Sequence, residues 1–160
     1  REETRVALIE AGVDPERLDL LEWIDGRRDH LQAYHQIDVA LDTYPYHGTT
    51  TTCEALWMGV PVISLAGPTH TSRVGVSLLS QIGAPEFIAE TPEEFVAIAQ
   101  RLASDIPAIA KLRHDLRVKM LGSPLFDYAT LARNFEAAFR AMWHHWLGVD
   151  EGHDSEGGAA

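Results

Sequence analysis

The sequence predicts an α/β fold: a Rossmann-like lobe built on a parallel sheet, with helices gathered toward the C-terminal end. Short apolar runs alternate with helical stretches through roughly the first 90 residues, which is the pattern of βαβ units. Gly12, Gly59 and Gly83 each stand where a helical stretch should stop. From Thr91 onward the periodicity is helical only.

In chain order, residues 1–12 read as a helix with Val6 and Ile9 on its apolar side, and Asp14, Pro15 and Glu16 as a turn. Residues 18–24 read as a buried strand, 27–36 as a short helix, and 37–41 as a second strand ending at Asp42. A loop over 43–49 holds Pro45 and Gly48, and a helix over 50–58 follows. Residues 61–65 read as a third strand, 72–82 as a helix and 86–89 as a short strand. Thr91, Pro92 and Glu94 make a helix start, with Thr91 as cap, Pro92 at the first position and Glu94 closing a capping box. A further helix over 106–121 is broken by Gly122, Ser123 and Pro124, and Asp127 caps a last one running to Leu147. The expected organisation is one lobe over 1–147 and a disordered tail, rich in glycine and acid, over 148–160.

Composition narrows the functions. Thirteen Lys and Arg against 24 Asp and Glu give a net charge of -11. That balance argues against nonspecific nucleic-acid binding, though backbone N–H groups can still hold a local anion. Cys53 is the one cysteine, so no disulfide forms within the chain. No apolar run is long enough for a membrane span and no signal peptide is visible, so a cytoplasmic protein is expected. The chain begins at Arg1 rather than Met, and a piece of a longer or processed polypeptide is the expectation.

The chemistry concentrates between Asp42 and Pro61. In open parallel α/β sheets ligands bind beyond the carboxyl ends of strands, and a helix N-terminus there offers unpaired N–H groups and a positive dipole end. Gly48 would let an anion approach the backbone. Thr49, Thr50, Thr51 and Thr52 each add a hydroxyl, so the segment reads as a cradle for a diphosphate. Glu54 shares a helix face with Thr50 and Thr51 and could accept hydrogen bonds from a ribose diol. His47, just before the threonines, could contact donor or acceptor. The plain alternative is a Thr-capped helix with an exposed glutamate.

Residues 38–43 (DVALDT), 47–52 (HGTTTT), 54–61 (EALWMGVP), 72–79 (SRVGVSLL), 122–126 (GSPLF) and 141–143 (AMW) together resemble the C-terminal catalytic lobe of the O-GlcNAc transferase / SPINDLY family. The resemblance implies a GT-B architecture of two Rossmann-like lobes, usually preceded by tetratricopeptide repeats. It implies transfer of a sugar from a nucleotide diphosphate to Ser or Thr hydroxyls of an acceptor protein, with no metal and no cofactor. Thr49, Thr50 and Thr51 match the diphosphate-contacting segment. Thr49 stands where O-GlcNAc transferases carry a histidine, and Glu54 where they carry an aspartate at the ribose. His30 matches a histidine near the base and Arg27 a nearby lysine. The donor is UDP-GlcNAc or GDP-fucose, the Tyr-Pro-Tyr-His-Gly form with His70 standing closer to SPINDLY proteins. The family's N-terminal lobe, its repeats and the first strands of this lobe are expected to be missing partners, which leaves a non-catalytic nucleotide- or protein-binding module as the alternative. An unrelated flavodoxin-like or epimerase-like domain shares only the βα pattern.

Other features read as structural. No histidine pairing has metal-ligand spacing. Cys53 near a helix N-terminus could have a lowered pKa, but small core packing is its expected role. Phe135, Phe139, Trp143 and Trp146 form an aromatic stripe, expected to pack in the core or against another lobe.

Overall fold

The computed structural model describes residues 1–148, so the disorder expected of the tail lies, beyond Gly148, outside the described residues. The chain divides into two compact units, Arg1–Ile37 and the remainder from Asp38.

In the first unit, α1 (Glu2–Glu10) stops before Gly12, whose φ of 93° places it in the left-handed region that glycine tolerates. A single turn of 3-10 helix, Pro15–Arg17, is started by the Asp14 carboxylate, which accepts the Glu16 N–H. No strand follows: residues 18–24 are irregular, with Leu21 61% and Trp23 88% exposed. An apolar run becomes a strand only when a neighbour completes its ladder, and among the described residues this run has none. The Arg1 guanidinium instead donates to the Leu20 carbonyl and pairs with Glu22. Helix α2 (Arg27–Ala33) continues into a 3-10 turn, Tyr34–Gln36, where the sequence suggests one helix.

The second unit holds a three-stranded parallel sheet in the order β1 (Ala40–Leu41), β2 (Val62–Leu65), β3 (Ile88–Ala89). Ala40 is in register with Val62, and Ser64 with Ile88. Helix α3 (Thr50–Trp57) connects β1 to β2, and α4 (Val74–Gln81) connects β2 to β3, giving two successive βαβ crossovers. The strands are shorter than the sequence suggests: only two of residues 37–41 are paired, and residues 85–87 form a 3-10 turn before β3.

Leu56, Val60, Ile63, Leu79 and Leu116 have no exposure and form the centre of this unit. Gly59 ends α3 at φ 80°, where a Cβ would meet the Arg113 carbonyl oxygen at 2.3 Å. The glycine thus serves the turn and the close approach of α6 (Ile106–Leu121) together. Before α6 comes α5 (Pro92–Ala103), capped by the Thr91 hydroxyl on the Glu94 N–H at 3.2 Å. The Glu94 carboxylate reaches back to the Glu90 N–H, one residue beyond the usual capping-box partner. Asp105 caps α6. The last helix, α7 (Tyr128–Leu147), is capped by Asp127 and buries no residue. Phe135, Phe139, Trp143 and Trp146 are each more than half exposed, so the stripe is not part of this core. No described helix is long and apolar enough to cross a membrane.

Candidate functional site

The carboxyl ends of β1 and β2 open onto the loop that leads into α3. Asp42, directly after β1, takes up two donors with its carboxylate: the Gly48 N–H at 2.9 Å on Oδ1 and the Ser64 hydroxyl at 2.7 Å on Oδ2. His47 is 1% exposed. Its Nε2 lies 3.0 Å from the Leu65 carbonyl, and its Nδ1 lies 3.1 Å from the Gly75 amide nitrogen. A carbonyl can only accept and an amide N–H can only donate, so the ring proton sits on Nε2. Asp42 Oδ2 is 3.5 Å from Nδ1. The closer Gly75 N–H takes the Nδ1 lone pair, so Asp42 makes no hydrogen bond to the ring. The His47 backbone N–H donates to the Thr71 carbonyl at 3.0 Å.

Two expectations change here. His47 is enclosed with both ring nitrogens engaged by backbone groups, so it faces protein rather than a donor or acceptor. The Gly48 amide is paired with Asp42 and is not presented to an anion. Glycine is required at this position for another reason: a Cβ would sit 2.3 Å from the Thr51 hydroxyl and 3.1 Å from that of Thr52.

The threonines then divide. Thr52 is buried and turns its hydroxyl back onto the Gly48 carbonyl at 2.9 Å. Thr49, Thr50 and Thr51 are exposed. Thr49 is the N-cap residue of α3, but its side chain makes no capping hydrogen bond, and its backbone is in the helical region rather than the extended conformation typical of caps. The first intrahelical donor after the loop is the Cys53 N–H, bonded to the Thr49 carbonyl at 3.1 Å. Glu54 is half-buried one turn further on. Burial pushes the Cys53 thiol up, and the Glu54 charge pushes it further, contrary to the lowering that its place near a helix start suggests.

Thr49 lines an open cleft of about 520 Å³ together with His70, Arg73, Val76 and Ser77. Arg73 precedes α4, and its Nη1 donates to the Gly67 carbonyl at 3.3 Å. Sequence reasoning misses Arg73 as a site residue, although a signal exists: it is the only Asp, Glu, Lys or Arg between Glu54 and Glu86. The N-terminal ends of α3 and α4 therefore border one cleft, with a guanidinium on its rim. That arrangement suits an anion with an extended organic part.

Arg27 and His30 belong to the first unit. Arg27 is exposed as the first residue of α2, after Gly26 at φ 88°. His30 is half-buried and meets the Tyr34 ring edge-on, with centroids 5.7 Å apart.

Comparison with known proteins gives consistent matches. The model for glycosyl transferase family 41 matches residues 2–135. A Hordeum vulgare protein described as a probable UDP-N-acetylglucosamine--peptide N-acetylglucosaminyltransferase SPINDLY is 47% identical over 143 residues, covering 89% of this chain and 15% of that protein. A UDP-N-acetylglucosamine--peptide N-acetylglucosaminyltransferase of Caenorhabditis elegans is 32% identical over 145 residues, 91% of this chain and 12% of that one. The solved structure of a mutant O-GlcNAc transferase from Thermobaculum terrenum superposes with a TM-score of 0.83 at 42% identity, over 90% of this chain and 28% of that one. The chain thus spans about one seventh of the length of the first of these relatives.

Proposed function

Since the chain belongs to glycosyl transferase family 41, we propose that the start of α3 holds the diphosphate of a nucleotide-sugar donor while the sugar passes to a Ser or Thr hydroxyl of an acceptor protein. The observation that carries this reading is the exposed Thr49–Thr50–Thr51 turn, uncapped by the Thr49 side chain, with Thr49 lining a cleft. Transfer leaves negative charge on the departing nucleoside diphosphate. Hydroxyl and N–H donors fixed before the reaction stabilise that charge without reorganising. The dipole of α3 adds roughly 0.3–1 kcal/mol for an anion at its exposed N-terminus. These donors do what a divalent cation does in metal-dependent transferases, so the reaction needs no metal.

In the same reading Glu54 accepts hydrogen bonds from the ribose diol, and Arg73 adds a cation at the rim of the cleft. The names of the relatives point to UDP-N-acetylglucosamine as donor; GDP-fucose is the competing donor. Assaying both with the full natural polypeptide separates them.

Thr50→Val tests the diphosphate role. Valine keeps the β-branched shape and removes only the hydroxyl. A hydrogen bond to a charged group contributes about 1.5–3 kcal/mol, so kcat/KM should fall roughly 10- to 100-fold with an unchanged thermal midpoint. Unaltered turnover would remove Thr50 from the mechanism.

A further inference from the structure

The polar cluster beneath the threonine turn has a consequence for the site above it. Asp42, Ser64, His47 and Gly75 come from the end of β1, from β2, from the loop and from the first turn of α4. Together they fix two consecutive loop residues. His47 is bound through its own N–H to Thr71 and through its ring to Leu65 and Gly75. Gly48 is bound through its N–H to Asp42 and through its carbonyl to the Thr52 hydroxyl. The Thr51 hydroxyl packs against the bare Cα of Gly48. The orientation of Thr49, Thr50 and Thr51 therefore depends on where Gly48 is held, and a buried carboxylate oxygen holds it.

We propose that Asp42 is a positioning residue for donor binding: by drawing the Gly48 N–H inward it sets the exposed turn of Thr49, Thr50 and Thr51, whose first residue borders the cleft. The inference rests on the donor reading above. Asp42 touches no substrate. It acts through Gly48, and His47 braces the same loop against β2 and α4. A charged acceptor suits this task because a carboxylate takes both donors at once and makes stronger hydrogen bonds than a neutral group.

Calorimetric titration of the full natural polypeptide with UDP and with GDP tests this. Asp42→Ala should weaken the preferred nucleotide at least about 10-fold, the equivalent of one lost charge-assisted hydrogen bond. Asp42→Asn should stay within about 3-fold, because its amide oxygen can still accept the Gly48 N–H while its amide nitrogen donates to Ser64. Leu116→Ala, a truncation in the core on α6, should lower the thermal midpoint and leave nucleotide affinity intact. Asp42→Ser replaces Asp42→Ala, with the same expectation, should the latter not fold. Wild-type affinity in the Ala or Ser variant overturns the inference, as does an Asn variant as weak as Ala. Loss of affinity in Leu116→Ala in step with its stability overturns it too, because Asp42 would then matter only for folding. Failure of the wild-type protein to bind either nucleotide overturns the donor reading itself, and this inference with it.

Discussion

Gly75 shows how little room the cluster under the site leaves. A Cβ there would lie 2.1 Å from the Ser64 hydroxyl and 2.6 Å from Asp42 Oδ2. Gly75→Ala must therefore push apart a hydrogen-bonded pair as well as overfill the space. Overpacking costs about 1–3 kcal/mol, and an unsatisfied buried polar group about 1–3 kcal/mol more. The expected result in a denaturant titration is a loss of roughly 2–6 kcal/mol. An unchanged midpoint would mean that β2 and α4 can separate without cost. The same residues mark the limit of reading a site from sequence. The exposure of Thr49, Thr50 and Thr51 was legible, because threonines after a strand suggest a turn; the pairing of Gly48 and the burial of Thr52 were not. His47 was not, because histidine in a loop looks the same whether it faces solvent or, as here, lies 1% exposed between two backbone groups. Asp42 was visible only as a strand end, since its two partners are 6 and 22 residues away.

Helices were legible where their ends carry their own chemistry. Thr91, Asp105 and Asp127 each cap the helix that begins after them, and the bounds of α6 match those read from the sequence. Strands were less so. An apolar run at 18–24 resembles the one at 61–65, and only the presence of a neighbouring ladder separates them. The cap of α7 carries a pH dependence. The Thr130 hydroxyl, and then its N–H, hold the Asp127 carboxyl below its usual value. The folded pKa is depressed, so this contribution is present above the ordinary aspartate range and is lost as pH falls through the folded value. Amide exchange at the first turn of α7 should accelerate on acidification through that window, and Asp127→Asn should flatten the response. Identical pH profiles for the two proteins would contradict the cap assignment.

At the scale of the whole molecule, the second unit carries the threonine turn, the cleft and the cluster beneath them, whereas Arg27 and His30 lie in the first. The aromatic residues of α7 stay exposed, Trp146 at 75%, so the stripe that hydrophobic periodicity marks is not covered by this core. Membership of the family rests on a match to residues 2–135, which spans both units. The proposed donor site depends on something smaller, the direction in which Thr49, Thr50 and Thr51 face. The most direct measurement is a crystal structure of the full natural polypeptide with UDP or GDP bound. Diphosphate oxygens are expected within hydrogen-bonding distance of Thr50 and its neighbours at the start of α3. A nucleotide bound with its phosphates elsewhere would contradict the donor role of this turn.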